Sequence, residues 1–301
     1  MNKKSNYLIL FFLLFIFINV FLIKNLSEVI IESCNIWLYN LVPTIFPFYI
    51  ITDLLINYGF IDILKPLFSK FFNVSESTIF VTIFSMLTGF PSSARYIKNL
   101  IKEDLISTTE ANNMIRFCHF SNPLFVIKII GLNILKNQKL SYLILISHYL
   151  ANFIIAFIFK KNSVTKPKNS KHEALGIVLT NSINSTFNSL LIILGNLITF
   201  QLLTKIIFNY FNFNEIIKAT TSVIFEITSG IFLIGKLSLN IYIKAIIIVS
   251  ALSFGGICVH SQTYGILCDT KVSYKNYLIG RIIQAIIATL ILTILIFFYC
   301  I

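Results

Sequence analysis

A carboxylate inside an apolar run is the sharpest chemical feature of this sequence. Glu226 stands in Val223-Ile224-Phe225-Glu226-Ile227-Thr228-Ser229-Gly230. An acid deep in a bilayer costs ~2.5–3.5 kcal/mol on insertion scales. A bound cation, a proton, a basic partner or water must offset that cost. Hydroxyl and amide side chains recur in similar surroundings: Ser92, Ser93, Ser121, Asn122, Ser261 and Gln262. They suit a neutral polar solute or a partly dehydrated ion, or hydrogen bonds between helices. Gly89 with Pro91, and Gly255 with Gly256, interrupt apolar runs. Unpaired backbone survives at membrane depth only where protein or an aqueous cavity covers it. Such groups can bind an ion or solute, or mark a kink or a close helix crossing.

These residues need elements to position them, and the composition says which kind. Of 301 residues, 56% are apolar and 12% charged, too few charges for a soluble surface. The apolar residues come in blocks of about 20, the length of a membrane-crossing helix. The expected segments are 7–23, 36–58, 78–101, 114–135, 141–159, 183–208, 216–235, 241–268 and 277–299. Four are interrupted: 78–101 at Thr88–Ser93, 114–135 at Ser121-Asn122-Pro123, 216–235 at Glu226 and Thr228-Ser229-Gly230, and 241–268 at Gly255-Gly256. After Met1-Asn2-Lys3-Lys4 the first run lacks a small-x-small cleavage site, so it reads as an uncleaved first helix over 1–30.

A basic stretch at 160–173 carries Lys160, Lys161, Lys166, Lys168 and Lys171 and divides the chain nearly in half. The halves, 31–159 and 174–301, share an order of features. Phe84-x3-Thr88-Gly89 precedes Phe120-Ser121-Asn122, and Phe225-x3-Ser229-Gly230 precedes His260-Ser261-Gln262 at a similar distance. Preserved order points to duplication.

If 78–101 and 216–235 are re-entrant hairpins and the other seven segments span, Lys3, Lys4, Lys65, Lys70, Arg95, Lys98, Lys102, Arg116, the linker lysines, Lys271, Lys275 and Arg281 share one side. That is 16 of the 24 basic residues, so the side is cytoplasmic. The expected fold is an all-α polytopic membrane protein with two inverted repeats, a cytoplasmic N-terminus and an external C-terminus.

Other chemistry is weaker. The net charge of +12 forms no single basic face, so nucleic acid is not an expected partner. Cys118-His119 and Cys258 with His260 match no common zinc spacing. The five cysteines suggest no disulfide framework. No nucleotide-binding or hydrolase motif is present. Neither an enzyme activity nor a cofactor is expected.

Leu41-Val42-Pro43-Thr44-Ile45-Phe46-Pro47-Phe48, Gly89-Phe90-Pro91-Ser92-Ser93-Ala94, Phe120-Ser121-Asn122-Pro123-Leu124-Phe125, Phe225–Gly230 and Phe254-Gly255-Gly256-Ile257, with Gln262 and Asp269-Thr270, together resemble the YlbJ-type sporulation integral membrane proteins of endospore-forming bacteria. The similarity covers most of the chain after about residue 30. It implies a gate, or nucleoside-recognition, membrane domain, similar to parts of concentrative nucleoside transporters and of the ferrous-iron transporter FeoB. It further implies hairpins at Gly89–Ser93 and Glu226–Gly230, helix breaks at Ser121-Asn122 and along Gly255–Gln262, and a role in making the spore cortex. The polar Gln-Thr-Glu cluster of the nucleoside carriers is absent from the first hairpin, so nucleoside specificity does not carry over. Cys258 also stands where a small hydroxyl residue is expected.

The resulting expectation is a carrier of a small polar solute or ion. Gly89, Pro91, Ser92, Ser93, Ser121, Asn122, Thr228, Ser229, Gly255, Gly256, Ser261 and Gln262 would form its site, with a coupling cation or proton at Glu226. The alternative is a non-transporting scaffold for sporulation.

Overall fold

The structure is a computed structural model that describes residues 3–23, 25–60, 63, 75–159 and 174–300. The basic linker, Lys24, Lys65 and Lys70 lie outside the described residues.

The described residues are helical throughout, with no strand. The helices are α1 (Lys3–Leu22), α2 (Leu26–Asn57), α3 (Glu76–Thr88), α4 (Ser92–Lys102), α5 (Thr108–Phe117), α6 (Phe125–Ile134), α7 (Gln138–Ile158), α8 (Leu175–Tyr210), α9 (Glu215–Phe225), α10 (Ile227–Lys236), α11 (Ile241–Phe254), α12 (Ile257–Leu267) and α13 (Tyr274–Cys300). By length and composition, five described stretches can cross a membrane: α2, α7, α8, α11 with α12, and α13. The apolar part of α1, Ile9–Leu22, is shorter. The expected span at 114–135 is two ten-residue helices, α5 and α6, on either side of a break. Large apolar side chains face outward, among them Phe11, Phe21, Phe157 and Phe298. That surface suits lipid tails, which need no polar cover.

From α2 onward one order of elements occurs twice: a long helix, a short pair, a second short pair, a long helix. At 1.5 Å per residue, α3, α4, α9 and α10 are each about 15–20 Å long, against a hydrocarbon core of about 30 Å. Each pair folds back on itself. Tyr96 of α4 meets Phe80 and Phe84 of α3, with ring centroids 5.5 and 6.5 Å away. Gly230 of α10 lies so close to Val223 of α9 that a Cβ there would meet the Val223 nitrogen at 2.3 Å.

The long opening helices, α2 and α8, run antiparallel. Ser33 donates to Gln201, Trp37 to the Leu190 carbonyl, and Ser182 to Asp53, so advance along one helix is retreat along the other. Near its middle α2 widens to a π-turn at Trp37–Leu41. Pro43 has no N–H to continue the regular ladder, which gives a physical reason for the turn.

Candidate functional site

The four breaks arise in four ways. After α3, Gly89 takes φ +81° and ψ 176°, a conformation that L side chains rarely adopt, and Pro91 precedes α4. After α5, Asn122 precedes Pro123, which disfavours helix at Asn122. Its Oδ1 accepts from the N–H of Leu124 at 2.9 Å and of Phe125 at 3.2 Å, capping α6. After α9, Glu226 is extended (φ −136°, ψ 110°), and its carboxylate accepts from the N–H of Thr228 at 3.0 Å and of Ser229 at 2.6 Å, capping α10. After α11, Gly255 is left-handed (φ +87°) and Gly256 (φ +31°) leads into α12.

Glu226 is 3% exposed. No lysine or arginine among the described residues offsets its charge. The N-terminus of α10 does, through two charge-assisted hydrogen bonds and the positive end of the helix dipole. The Glu226 side chain also lines the space beside it.

That space is a cavity of about 60 Å³. Its polar lining comes from Thr88, Ser121, Asn122, Glu226, Thr228, Cys258 and Gln262, its backbone approach from Gly89. Leu41, Ile45, Ile193 and Leu197 of α2 and α8 close the apolar side. The volume admits a few waters or an ion and is far below the roughly 300 Å³ of sites for larger organic ligands. Gln262 donates to the Cys258 sulfur at 3.3 Å, so the polar wall is itself bonded.

Of the expected site residues, the cavity gathers Gly89, Ser121, Asn122, Glu226, Thr228 and Gln262. Pro91, at the cap of α4, and Ser92 and Ser93, in its first turn, are not among the cavity's lining residues. The Ser92 hydroxyl bonds the Gly89 carbonyl and meets Thr88 Oγ1 at 2.5 Å. Ser229 contributes its N–H to Glu226 rather than to the lining. Gly255 packs on His119, and Gly256 on the α9–α10 break, where an added Cβ would meet the Val223 carbonyl oxygen at 3.1 Å. Ser261 is a correction: it sits on the exposed face of α12, one residue round from Gln262, and points away from the cavity. Repeat matching is corrected as well. Thr88-Gly89 immediately precedes its break, whereas Ser229-Gly230 follows one, so the letter match runs about one turn out of step with the elements.

Freed backbone at the first two breaks is largely consumed by side chains. Asn122 Nδ2 donates to the Leu87 carbonyl, Tyr149 to those of Met86 and Ser121, and Asn152 and Gln284 to that of His119. The expectation that these carbonyls stand open to a solute therefore fails for those four groups.

Sequence reasoning also missed a polar core beside the cavity. His119, His148, Asn152, Ser253, Arg281 and Gln284 are each at most 1% exposed. Arg281, expected to face the cytoplasm at the start of segment 277–299, is fully buried on α13. Its guanidinium donates to the Arg116 carbonyl at 2.7 Å and toward the Ser253 carbonyl at 3.4 Å, bonds Gln284, and lies 5.3 Å from the Tyr277 ring centre. Arg116 and Ser253 belong to the last turns of α5 and α11, whose carbonyl ends carry partial negative charge. Among the described residues no carboxylate pairs with Arg281, so two helix C-termini act as its counter-charge. No local sequence signal marked Arg281, because the groups that surround it lie far away in the chain. Arg95 is likewise no simple interface anchor: it lies 3.6 Å from Asp53, with both side chains about one-fifth exposed.

No protein-family model matches this chain, and no solved structure matches it. Its sequence is 25% identical to the sporulation integral membrane protein YlbJ of Bacillus subtilis (strain 168), with 98% of this chain and 84% of the relative aligned. The similarity runs through both halves and supports assignment of this chain to the YlbJ-type sporulation integral membrane proteins.

Proposed function

We propose that this protein is a carrier that moves a small polar solute or ion across the cell membrane during spore formation. The observation that carries the reading is convergence. Residues from three helix breaks, together with α12 just past the fourth, line one cavity that holds a buried carboxylate. On this reading the halves are inverted repeats of the gate type, with seven spans, two re-entrant hairpins, a cytoplasmic N-terminus and an external C-terminus. The repeated element order and the antiparallel α2 and α8 support the inversion. Glu226 binds the coupling cation or proton with the lone pairs that its capping bonds leave free. The cavity's size favours an ion, or a closed state around a solute larger than the space now shown.

One observation favours the second reading, a membrane scaffold. Glu226 and Asn122 both cap helices, which a purely structural role also explains. Purified protein in proteoliposomes separates the two, with flux of Na⁺, K⁺ and H⁺ followed by ion-sensitive dyes. A carrier gives flux that Glu226→Gln abolishes while the protein still inserts. A scaffold moves none of these ions, and its sporulation phenotype survives Glu226→Gln wherever the folded amount is normal.

A further inference from the structure

A second, larger pocket lies along the same helices as the Glu226 cavity. It has a volume of about 340 Å³ and is lined by Asp53 of α2, Arg95, Tyr96 and Asn99 of α4, and Ser182 and Ser185 of α8, among others. Three elements place it in line with the cavity. On α2 the cavity takes Leu41 and Ile45, the pocket takes Asp53 and Ile56, and Tyr49 falls between at the same four-residue spacing. On α8 the cavity takes Ile193 and Leu197, the pocket takes Ser182 and Ser185, and Ser189 falls between. The α3–α4 break supplies Gly89 and Phe90 to the cavity and Arg95 onward to the pocket, with Ser92 between. Residues four apart on a helix share a face. From Ile45 to Asp53, and from Ile193 to Ser185, the rise is about 12 Å.

The intervening layer is held by one cation. The Arg95 guanidinium lies 5.2 Å from the Tyr49 ring centre, donates to Ser185 Oγ at 2.8 Å and to Ser189 Oγ at 3.3 Å, and sits 3.6 Å from Asp53. Asp53 in turn accepts from Ser182 at 2.9 Å. Tyr49 is 2% exposed and fills the layer. The three hydrogen bonds to Ser182, Ser185 and Ser189 reach from the first half of the chain to α8, in the second.

We propose that this pocket is the cytoplasmic-side vestibule of the Glu226 cavity, and that Tyr49, held by Arg95 and Asp53 against the serines of α8, is the gate between them. The inference rests on the cavity being a solute site, as proposed above, and adds its access route. A small polar solute waits in the vestibule, where a loose ion pair and a row of hydroxyls and amides exchange hydrogen bonds at little cost. It passes when Arg95 releases Ser189 and the Tyr49 ring swings with it.

Cys258 lines the inner cavity and is a native reporter. In a Cys34→Ser, Cys118→Ala, Cys268→Ser, Cys300→Ser background it is the only thiol. A membrane-impermeant methanethiosulfonate is applied to sealed inside-out vesicles, whose outer face is the cytoplasmic one, and the adduct is followed by mass. Tyr49→Ala and Arg95→Ala are each expected to speed Cys258 labelling at least tenfold. Tyr142→Ala, at an outward-facing tyrosine of α7, is expected to leave it unchanged. Asn181→Cys in the vestibule is expected to label rapidly even with the gate intact, and a bulky adduct there to slow Cys258 labelling in the opened variants. If the alanine variants do not insert, Asp53→Asn, which keeps every side chain near its size, is expected to give about a threefold increase. An unchanged Cys258 rate in the inserted gate variants overturns the proposal, as does a protected Asn181→Cys. Ion flux with unchanged labelling would remove the gate and leave the carrier. Opened labelling with no flux would do the reverse.

Discussion

The two hairpin–break junctions solve one problem with the same parts in exchanged places. In the first half the hairpin tip carries the glycine, Gly89, and the facing break carries the capping side chain, Asn122; a Cβ on Gly89 would meet the Asn122 nitrogen at 2.8 Å. In the second half the hairpin tip carries the cap, Glu226, and the facing break carries the glycine, Gly256, whose added Cβ would lie 3.3 Å from the Ile227 nitrogen. Each junction needs one position without a side chain for close approach, and one polar side chain for the N–H groups that a helix start leaves open. The exchange leaves a neutral amide on one side of the cavity and a carboxylate on the other.

If that comparison is right, the first junction is the tighter. Gly89→Ala is expected to have the largest effect, about 3 kcal/mol or more, because backbone strain of about 1–3 kcal/mol adds to a clash with main chain. Gly256→Ala carries comparable backbone strain but has looser neighbours, the nearest at 3.1 Å, and is expected to cost less, about 1–2 kcal/mol. Thermal unfolding in detergent, read by tryptophan fluorescence at Trp37, ranks the two, and a reversed order breaks the comparison. The caps come next. Glu226→Gln keeps one acceptor but turns an amide NH₂ toward a backbone N–H and removes the charge, for about 2 kcal/mol. Asn122→Ser keeps a hydroxyl oxygen to cap α6 and loses the amide donor to the Leu87 carbonyl, for about 1 kcal/mol. Equal losses would mean that the carboxylate acts as a neutral cap.

The smallest effect concerns the tie between the halves at Lys98 and Asp269, 2.9 Å apart. The hydrogen bond from Lys98 holds the Asp269 carboxyl below its ordinary value. A carboxylate lowered on folding stabilises above its unfolded pKa, near 3.9, and that contribution is lost as pH falls through the folded value. The tie is therefore constant through neutral pH and released only in acid. Hydrogen exchange around residues 268–273 is expected to be flat from pH 8 to about pH 5 once intrinsic rates are removed, and Lys98→Ala is expected to raise it slightly at all of those values.

Much of the helical order was legible because apolar runs, glycine pairs and proline are local signals. The pairs at 78–101 and 216–235 appear within two residues of the observed bounds, and all four breaks occur where Gly89, Asn122, Glu226 and Gly255 stand. The cavity's membership was legible for residues at the breaks and not for those beyond them. Gln262 faces inward and Ser261 outward because α12 continues as a regular helix, and adjacent residues on a helix point about 100° apart. Arg281 was misread for a related reason. Its neutralising partners are backbone carbonyls, which leave no trace in side-chain identity. The gate layer was hidden because Tyr49 and Ser189 look like ordinary membrane-helix residues until α2 and α8 are set antiparallel.

Arg281 also bears on how the molecule is made. It bridges the open carbonyl ends of α5 and α11, one from each half, and α13 follows both in the chain. While the ribosome is still translating residues before 281, those two ends face the insertion machinery with no cation between them. The two broken helices therefore gain the cation at their carbonyl ends only when the last helix arrives. Truncation before residue 281 would leave both carbonyl ends without their cation, one in each half.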